Sequence, residues 1–253
     1  MNWIDQVRLF LQQEIELYGD EPAFAARQRR SVLITSAAFL APGSLAANTR
    51  ESDPPMSLTV EPAQSLEELK RILMGCRQCS LGAYGATMVF GAGDPHADIV
   101  LVGDQPSPQD GQLGKLFSAE PGELLDRILN AISLKRENVY LAALLKCAAA
   151  GNADLKEQDA ELCLPYLLKQ LSLIRPKFIL AMGRTAAGFL LRSKEPLSRL
   201  RGRLHSYGNA QMIVTYSPET LLRYPHFKRE TWADVQLLRR AYDDYIARST
   251  EKS

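Results

Sequence analysis

The chain has 253 residues, of which 46% are hydrophobic and 23% are charged, and this composition excludes a wholly disordered protein. The length allows one sizeable domain with an additional segment. The formal net charge of +1 excludes a general electrostatic attraction to nucleic acids or anionic membranes, so any polyanion must be bound by local basic clusters.

The first 62 residues differ in pattern from the rest of the chain. Apolar residues recur at helical spacing near the start, which predicts an amphipathic helix within residues 1–25 that docks on another surface. These residues are Trp3, Ile4, Val7, Phe10, Leu11, Ile15 and Tyr18. Residues 26–62 lose this periodicity and accumulate Pro, Ser, Ala and Thr, so they are interpreted as a linker. Residues 63–248 are predicted to form the main domain.

Residues 27–41 imitate a signal sequence, because a basic run precedes an apolar stretch. Pro42 and Gly43 interrupt that stretch well short of a membrane span, so we interpret it as a linker or docking strand. A mis-assigned start codon is the alternative. The residues that begin at Met1 lack the basic lead and apolar stretch of a secretory signal, so a cytoplasmic protein is expected.

Beyond residue 65, short apolar runs alternate with amphipathic helical patterns. Four runs, at 98–102, 139–145, 177–182 and 211–215, are apolar on both faces, as buried parallel strands are. Helices are predicted at 121–133, 156–174, 185–191 and 229–247. The alternation predicts an α/β fold with helices on both faces of a mostly parallel, four-stranded sheet and functional residues in the loops after the strands.

The cysteine content of the chain consists of Cys76, Cys79, Cys147 and Cys163. A thioredoxin-like motif would explain only the first two, and two disulfides would require export from the cell. A metal site with four cysteines uses them all. Zinc ribbons usually combine two tight pairs, whereas Cys147 and Cys163 lie sixteen residues apart, so an iron–sulfur cluster is favoured over zinc, although spacing permits both.

The cysteines belong to a series of short motifs that run in a fixed order across residues 65–247. It comprises Cys76-Arg77-Gln78-Cys79, Val89-Phe90-Gly91-Ala92-Gly93, Gly103-Asp104-Gln105-Pro106, Gly114-Lys115-Leu116-Phe117, Lys146-Cys147, Gly151-Asn152, Cys163, Arg175-Pro176-Lys177, Met182-Gly183-Arg184, Leu200-Arg201-Gly202 and Leu221-Leu222-Arg223. The series resembles the family-four uracil-DNA glycosylases, the iron–sulfur branch of that superfamily. The resemblance implies a three-layer α/β/α sandwich and a structural [4Fe-4S] cluster held by the four cysteines.

The resemblance also implies roles for residues after the first predicted strand. The family reads Gly-Glu-x-Pro-Gly there, and its acid orients or activates the attacking water. Asp104 keeps a carboxylate at this position on a side chain one methylene shorter, beside Gln105. Phe117 matches the ring that stacks on the flipped base. The simpler alternatives are a turn cap for Asp104 and a core position for Phe117.

Other positions depart from the family's pattern. The family ends its second strand with Thr-Asn, whose amide pairs with uracil, and this chain has Ala142 and Ala143. Ser217 replaces a histidine that bonds the uracil carbonyl and stabilises the charge of the departing base. An Arg-Pro-Pro segment is replaced by alanines at 148–150. These changes indicate altered or lost uracil specificity.

Two basic clusters are predicted to contact DNA. One surrounds Arg201 and Arg203 and includes Arg192, Lys194 and Arg199. The other consists of Arg223, His226, Lys228 and Arg229. The segment Leu221-Leu222-Arg223 matches the family's intercalating loop, so Leu222 and Arg223 are candidate DNA-binding residues. A solvated basic face is the alternative.

Three functional hypotheses follow. The first is a DNA glycosylase for uracil or another base, which uses Asp104, Gln105, Phe117 and Ser217 in an adapted pocket. The second is a catalytically inactive module that binds DNA or a protein. The third is a zinc-stabilised scaffold without a nucleic-acid role. The expected partners are DNA and a protein bound through the N-terminal helix, and the chain is expected to be a monomer.

Overall fold

The structure is a computed structural model, and it describes residues 63–148 and 156–250. The predicted N-terminal helix and linker, and the motif residues at 149–152, lie outside the described residues and stay predictions. Within the described ranges, no helix is long and apolar enough to cross a membrane.

One mixed sheet forms the centre of the domain. Its strands are β1 (Ala92–Gly93), β2 (Ile99–Gly103), β3 (Tyr140–Ala143), β4 (Phe178–Met182), β5 (Leu204–Tyr207) and β6 (Ala210–Thr215). Their spatial order is β1-β3-β2-β4-β6-β5. The four central strands are parallel and coincide with the four apolar runs of the sequence, and the two edge strands pair antiparallel with their neighbours.

Helices of the described residues cover both faces of this sheet. They are α1 (Leu66–Leu73), α2 (Ser80–Ala83), α3 (Pro108–Leu113), α4 (Ala119–Ala131), α5 (Glu157–Ile174), α6 (Arg184–Leu191), α7 (Leu197–Leu200), α8 (Pro218–Arg223) and α9 (Lys228–Thr250). Short 3-10 turns at Arg136–Asn138 and Pro225–Phe227 precede β3 and α9.

Alternate residues of the central strands enter two separate cores. In β2, Val100 and Val102 belong to the core that contains residues of α1, α5 and α6. Ile99 and Leu101 belong to the core that contains residues of α4 and α9. Both faces are therefore buried, which explains why the strands read as continuous apolar runs. Helices on either side of one sheet confirm the predicted three-layer α/β/α sandwich.

The two edge strands are additions to the predicted four-stranded sheet. β1 has only two residues, and a Cβ on Gly93 would lie 2.0 Å from the Val139 carbonyl oxygen. The two backbones can therefore approach this closely only with glycine at position 93, and so short a strand with a glycine shows no apolar pattern in the sequence. β5 is exposed or half-buried throughout and joins β6 through a turn at Gly208, whose φ is 56°.

The carboxyl ends of the central strands meet at one edge of the sheet. Ala143 pairs with Gly103, Gly103 with Met182, and Met182 with Thr215, so the four residues form one row. The segments that leave this row carry the residues predicted to be catalytic. Loops at such an edge are the usual location of binding and catalytic groups in α/β proteins.

Candidate functional site

The four cysteines come together in one pocket. Cys76 follows α1, and Cys79 immediately precedes α2. Cys147 lies opposite Met88 in an antiparallel bridge, and Cys163 lies on α5. The other residues that line the pocket are Leu73, Gln78, Met88, Lys146, Leu162 and Tyr166. None of the cysteines is in a disulfide, so four free thiols from distant parts of the sequence share this pocket.

Two of the thiols, Cys147 and Cys163, need a cation before they ionise at neutral pH. Burial raises the pKa of Cys147 to about 12 and that of Cys163 to about 11, and the neighbouring thiols of Cys76 and Cys79 add to the increase. Metals bind the thiolate form, so binding at this pocket would release protons. The chemistry of the donor set therefore fits a thiophilic metal or an iron–sulfur cluster.

A single metal ion and a polynuclear centre differ in how closely they draw their ligands together. Among the described residues, no group of three or more His, Cys, Asp or Glu side chains is arranged to ligate one metal. A tetrahedral zinc ion with Zn–S bonds of about 2.3 Å would bring its sulfurs within roughly 3.8 Å of one another. A polynuclear centre can be held by thiolates that lie farther apart.

Lys146 is a fully buried base in the wall of the same pocket. Burial lowers its pKa to about 8, while the Cys163 thiol acts in the opposite direction. Its ammonium donates a hydrogen bond of 2.6 Å to the Ala143 carbonyl and another to the Gln170 side-chain oxygen. Lys146 thus links the pocket to the end of β3.

Asp104 follows β2 directly and turns towards the start of α6. Its Oδ1 accepts a hydrogen bond of 2.6 Å from the Ala186 backbone N–H. Gly183 occupies the N-cap position of α6 and has no side chain, so Asp104 supplies the cap from another strand. Burial raises the pKa of Asp104 to about 6, a value suited to a general base near neutral pH. The next residue, Gln105, is half-buried.

Phe117 lies directly against the end of β2. Its Cζ is 2.7 Å from the position that a Cβ on Gly103 would take. The ring therefore occupies the space that a side chain at position 103 would need. The Phe117 side chain is only 5% exposed, and its φ of 51° lies in the left-handed region. The structure therefore places the ring at the predicted edge of the sheet, with most of its surface already covered.

Two charged side chains hold the backbone around Phe117. Arg136 donates a hydrogen bond of 2.7 Å to the Phe117 carbonyl. On the other side, Asp110 accepts hydrogen bonds of 2.7 Å and 2.5 Å from the backbone N–H and hydroxyl of Ser118. Asp110 itself is buried. These contacts explain how a non-glycine residue is kept in a left-handed conformation.

Ser217 is the N-cap residue of α8. Its hydroxyl accepts a hydrogen bond of 3.3 Å from the Thr220 backbone N–H and lies 3.1 Å from the Thr220 hydroxyl. Ala143, which stands in the place of the family's asparagine, is buried at the end of β3. Neither residue therefore presents an amide or imidazole at this edge, as the sequence indicated.

Glu219 is a further carboxyl group at this edge and is not among the predicted site residues. Burial raises its pKa, and a hydrogen bond with Ser217 opposes the increase. The Glu219 carboxylate also contributes to the raised pKa of Asp104, so the two groups interact electrostatically. The sequence signal for it is its position in the first turn of α8, directly after Ser217-Pro218.

Arg201 makes its contacts within the domain. Its Nε lies 3.0 Å from Oδ2 of the buried Asp234, and its terminal nitrogens bond Asp234 Oδ1 and the Glu230 carboxylate, each at 3.0 Å. Asp234 also accepts hydrogen bonds from Thr215 and Gly202. The guanidinium thus fastens the start of β5 to α9, and its predicted contact with DNA stays a prediction.

The segment predicted to enter DNA is partly exposed. Leu221 is buried in a small core with Leu124 and Tyr216, Leu222 is half-buried, and Arg223 is exposed. Exposed basic residues occur in both predicted clusters: Arg192, Lys194, Arg199, Arg203 and Arg229. Charge that can meet phosphates is therefore present on the surface, apart from Arg201.

Comparisons with known proteins agree with this geometry. The family model described as the uracil DNA glycosylase superfamily matches residues 90–236. A type-4 uracil-DNA glycosylase of Archaeoglobus fulgidus is 34% identical over 181 residues, which cover 68% of this chain and 91% of the relative. A type-4 uracil-DNA glycosylase of Pyrobaculum aerophilum is 27% identical over 68% of this chain and 92% of its own length. The chain belongs to the uracil DNA glycosylase superfamily.

Proposed function

We propose that this chain is a DNA glycosylase of the repair type, which removes a base by hydrolysing its N-glycosidic bond. The observation that carries the proposal is the row from Ala143 to Thr215, since it gathers Asp104, Phe117 and Ser217 at one edge of the sheet. The relatives' names support the same reaction class, because they are uracil-DNA glycosylases.

Each side chain has a role in this proposal. A flipped base stacks on Phe117 at the edge of the sheet. The Asp104 carboxylate, ionised above about pH 6, orients the attacking water and accepts its proton. Ser217 has a single hydroxyl proton, and its hydroxyl already interacts with Thr220 and Glu219, so little is left to stabilise an anionic base.

These roles predict altered base specificity. Ala143 cannot pair with the edge of uracil, and the missing imidazole costs about a hundredfold or more in rate. Uracil is therefore a poor substrate, and a base that leaves with less negative charge, or that accepts a proton from Glu219, is preferred. The region around Leu222 and Arg223 holds the DNA.

Cys76, Cys79, Cys147 and Cys163 hold a [4Fe-4S] cluster in this proposal. Support comes from their common pocket and from the absence of disulfides among them. The cluster supplies no step of base removal. It ties the segment of Cys76 and Cys79 to β3 and α5.

A panel of substrates tests the proposed activity. The full chain, purified without oxygen and with its iron content measured, is incubated with oligonucleotides that contain uracil, hypoxanthine or xanthine, in single and double strands. Alkali-labile abasic sites are expected with at least one base, and slow cleavage is expected with uracil. Protein that contains iron and binds the DNA but leaves every base in place would instead be an inactive binding module.

Cytoplasmic location, a monomeric state and a protein partner for residues 1–25 are further proposals. Light scattering of the purified chain tests the monomeric state, and a mass of one chain is expected. Affinity capture with and without residues 1–25 tests the partner, and equal recovery of the same protein by both forms would contradict it.

A further inference from the structure

One face of α5 carries a stripe of polar residues inside the core. Asp159, Cys163, Tyr166 and Gln170 follow one another at intervals of four, three and four residues, so they share one side of the helix. All four are buried. Polar side chains are costly to bury without partners, so the partners of this stripe identify its purpose.

Asp159 holds the turn after Cys79. Its Oδ1 accepts a hydrogen bond of 2.9 Å from the Ser80 backbone N–H, and its Oδ2 accepts one of 2.5 Å from the Ser80 hydroxyl. Ser80 is the residue next to Cys79. One carboxylate thereby fixes the position of Cys79 relative to Cys163, which lies one helical turn further along α5.

Gln170 holds the segment of Cys147. Its side-chain oxygen accepts a hydrogen bond from the ammonium of Lys146, the residue before Cys147. Its nitrogen donates a hydrogen bond of 2.9 Å to the Phe90 carbonyl, in the segment that continues from Met88. Gln170 therefore joins both strands of the bridge that presents Cys147.

Tyr166 contacts a cysteine directly. Its hydroxyl lies 3.8 Å from the Sγ of Cys76, within hydrogen-bond distance for sulfur. A free thiol donates to the phenol oxygen in this contact. A metal-bound thiolate has no proton, so the direction reverses and Tyr166 becomes the donor.

We propose that Asp159, Tyr166 and Gln170 are positioning residues that hold the other three cysteines around Cys163, and that the Tyr166 hydroxyl donates a hydrogen bond to the Cys76 thiolate of the bound cluster. This inference rests on the cluster proposed above. Hydrogen bonds to cluster sulfurs stabilise the reduced, more negative state and so raise the reduction potential. Partners that orient metal ligands typically contribute about 10- to 100-fold to metal affinity.

The test compares variants of the full chain purified without oxygen. Tyr166→Phe should keep its iron but shift the reduction potential to more negative values and change the visible absorption spectrum. Tyr242→Phe is the matched control, because its hydroxyl bonds Asp98 at 3.3 Å outside the cysteine pocket. Asp159→Ala should lose iron to a chelator about tenfold faster or more.

The outcomes separate this inference from the proposed activity, because none of the measurements requires base removal. A Tyr166→Phe variant with the potential and spectrum of the wild type would overturn the hydrogen bond to Cys76. An Asp159→Ala variant that retains iron like the wild type would overturn the positioning role. Wild-type protein that contains zinc and no iron would overturn the proposed cluster and this inference together, and it would leave the glycosylase assay to be judged separately.

Discussion

Asp104 combines two tasks in one carboxylate. Its Oδ1 caps α6 through Ala186, and its burial gives a pKa of about 6 against an ordinary value of 3.8. The cap accounts for an acid at this position even without catalysis. The raised pKa is the property that would suit the group to accept a proton from water.

Asp104→Asn should remove a part of the pH dependence that the wild type shows in its free energy of unfolding. Because the folded chain binds the Asp104 proton more tightly than the unfolded chain, the stabilisation is present at low pH and is lost as the pH rises from about 4 to about 6. The wild type should lose on the order of 2 to 3 kcal/mol of stability over this range. Asn at position 104 keeps an acceptor for the Ala186 N–H but does not titrate, so the variant should not show this loss. Urea unfolding of both proteins at several pH values measures it. A constant difference between them would contradict the assigned pKa.

The second prediction concerns Arg201. Arg201→Ala leaves the buried Asp234 carboxylate without its guanidinium and should cost about 3 to 5 kcal/mol of stability. Arg203→Ala is the matched control, because Arg203 is exposed and lies 3.9 Å from the exposed Glu195, a pair that contributes about 0 to 1 kcal/mol. Urea unfolding distinguishes them. Equal stabilities of the two variants would contradict a stabilising ion pair between Arg201 and Asp234.

At the level of secondary structure, the junction of β4 and α6 depends on Gly183. A Cβ there would lie 2.4 Å from Asp104 Oδ2, and the φ of 121° is unfavourable for other residues. Gly183→Ala should therefore displace Asp104, uncap α6 and destabilise the fold by more than Gly208→Ala. The control has positive φ and open space, so it reports strain alone, roughly 1 to 2 kcal/mol. Thermal or urea unfolding that ranks the two variants in the opposite order would refute this.

The central strands and long helices were predictable because burial on both faces leaves a continuous apolar run, and one-sided burial leaves a helical period. The predicted helix at 156–174 is observed as Glu157–Ile174. The edge strands were not predictable, since Gly91 and Gly93 in and beside β1 contribute no side chains. Residue identity also located Asp104 and Ser217. A turn cap was the alternative for Asp104, but its partner at Ala186 is set by a tertiary contact, whereas Ser217 caps α8 through Thr220, three residues further along the chain.

For the whole molecule, Lys146 connects the two halves of the site. Its ammonium donates a hydrogen bond to the carbonyl of Ala143, at the edge of the sheet where Asp104 lies. Its neighbour Cys147 lies in the cysteine pocket. Loss of the proposed cluster should therefore disturb β3 as well as the segment of Cys76.

The fourth prediction follows from this connection. Cluster removal by a chelator and an oxidant should lower the unfolding temperature and weaken DNA binding, because the metal-bound state is folded in preference to the metal-free state. Calorimetry and a DNA titration before and after removal measure both effects. An unchanged unfolding temperature would show that the cysteine pocket does not stabilise the fold.

The central claim is that Asp104 acts in base removal at the edge of the sheet. The most direct measurement is the amount of free base that the iron-containing full chain releases from oligonucleotides, by mass spectrometry, for the wild type, Asp104→Ala and the exposed-site control Asp243→Ala. We predict release by the wild type and the control, and about a hundredfold less or lower with Asp104→Ala. Equal release by all three proteins, or none by the wild type on any base, would contradict the claim.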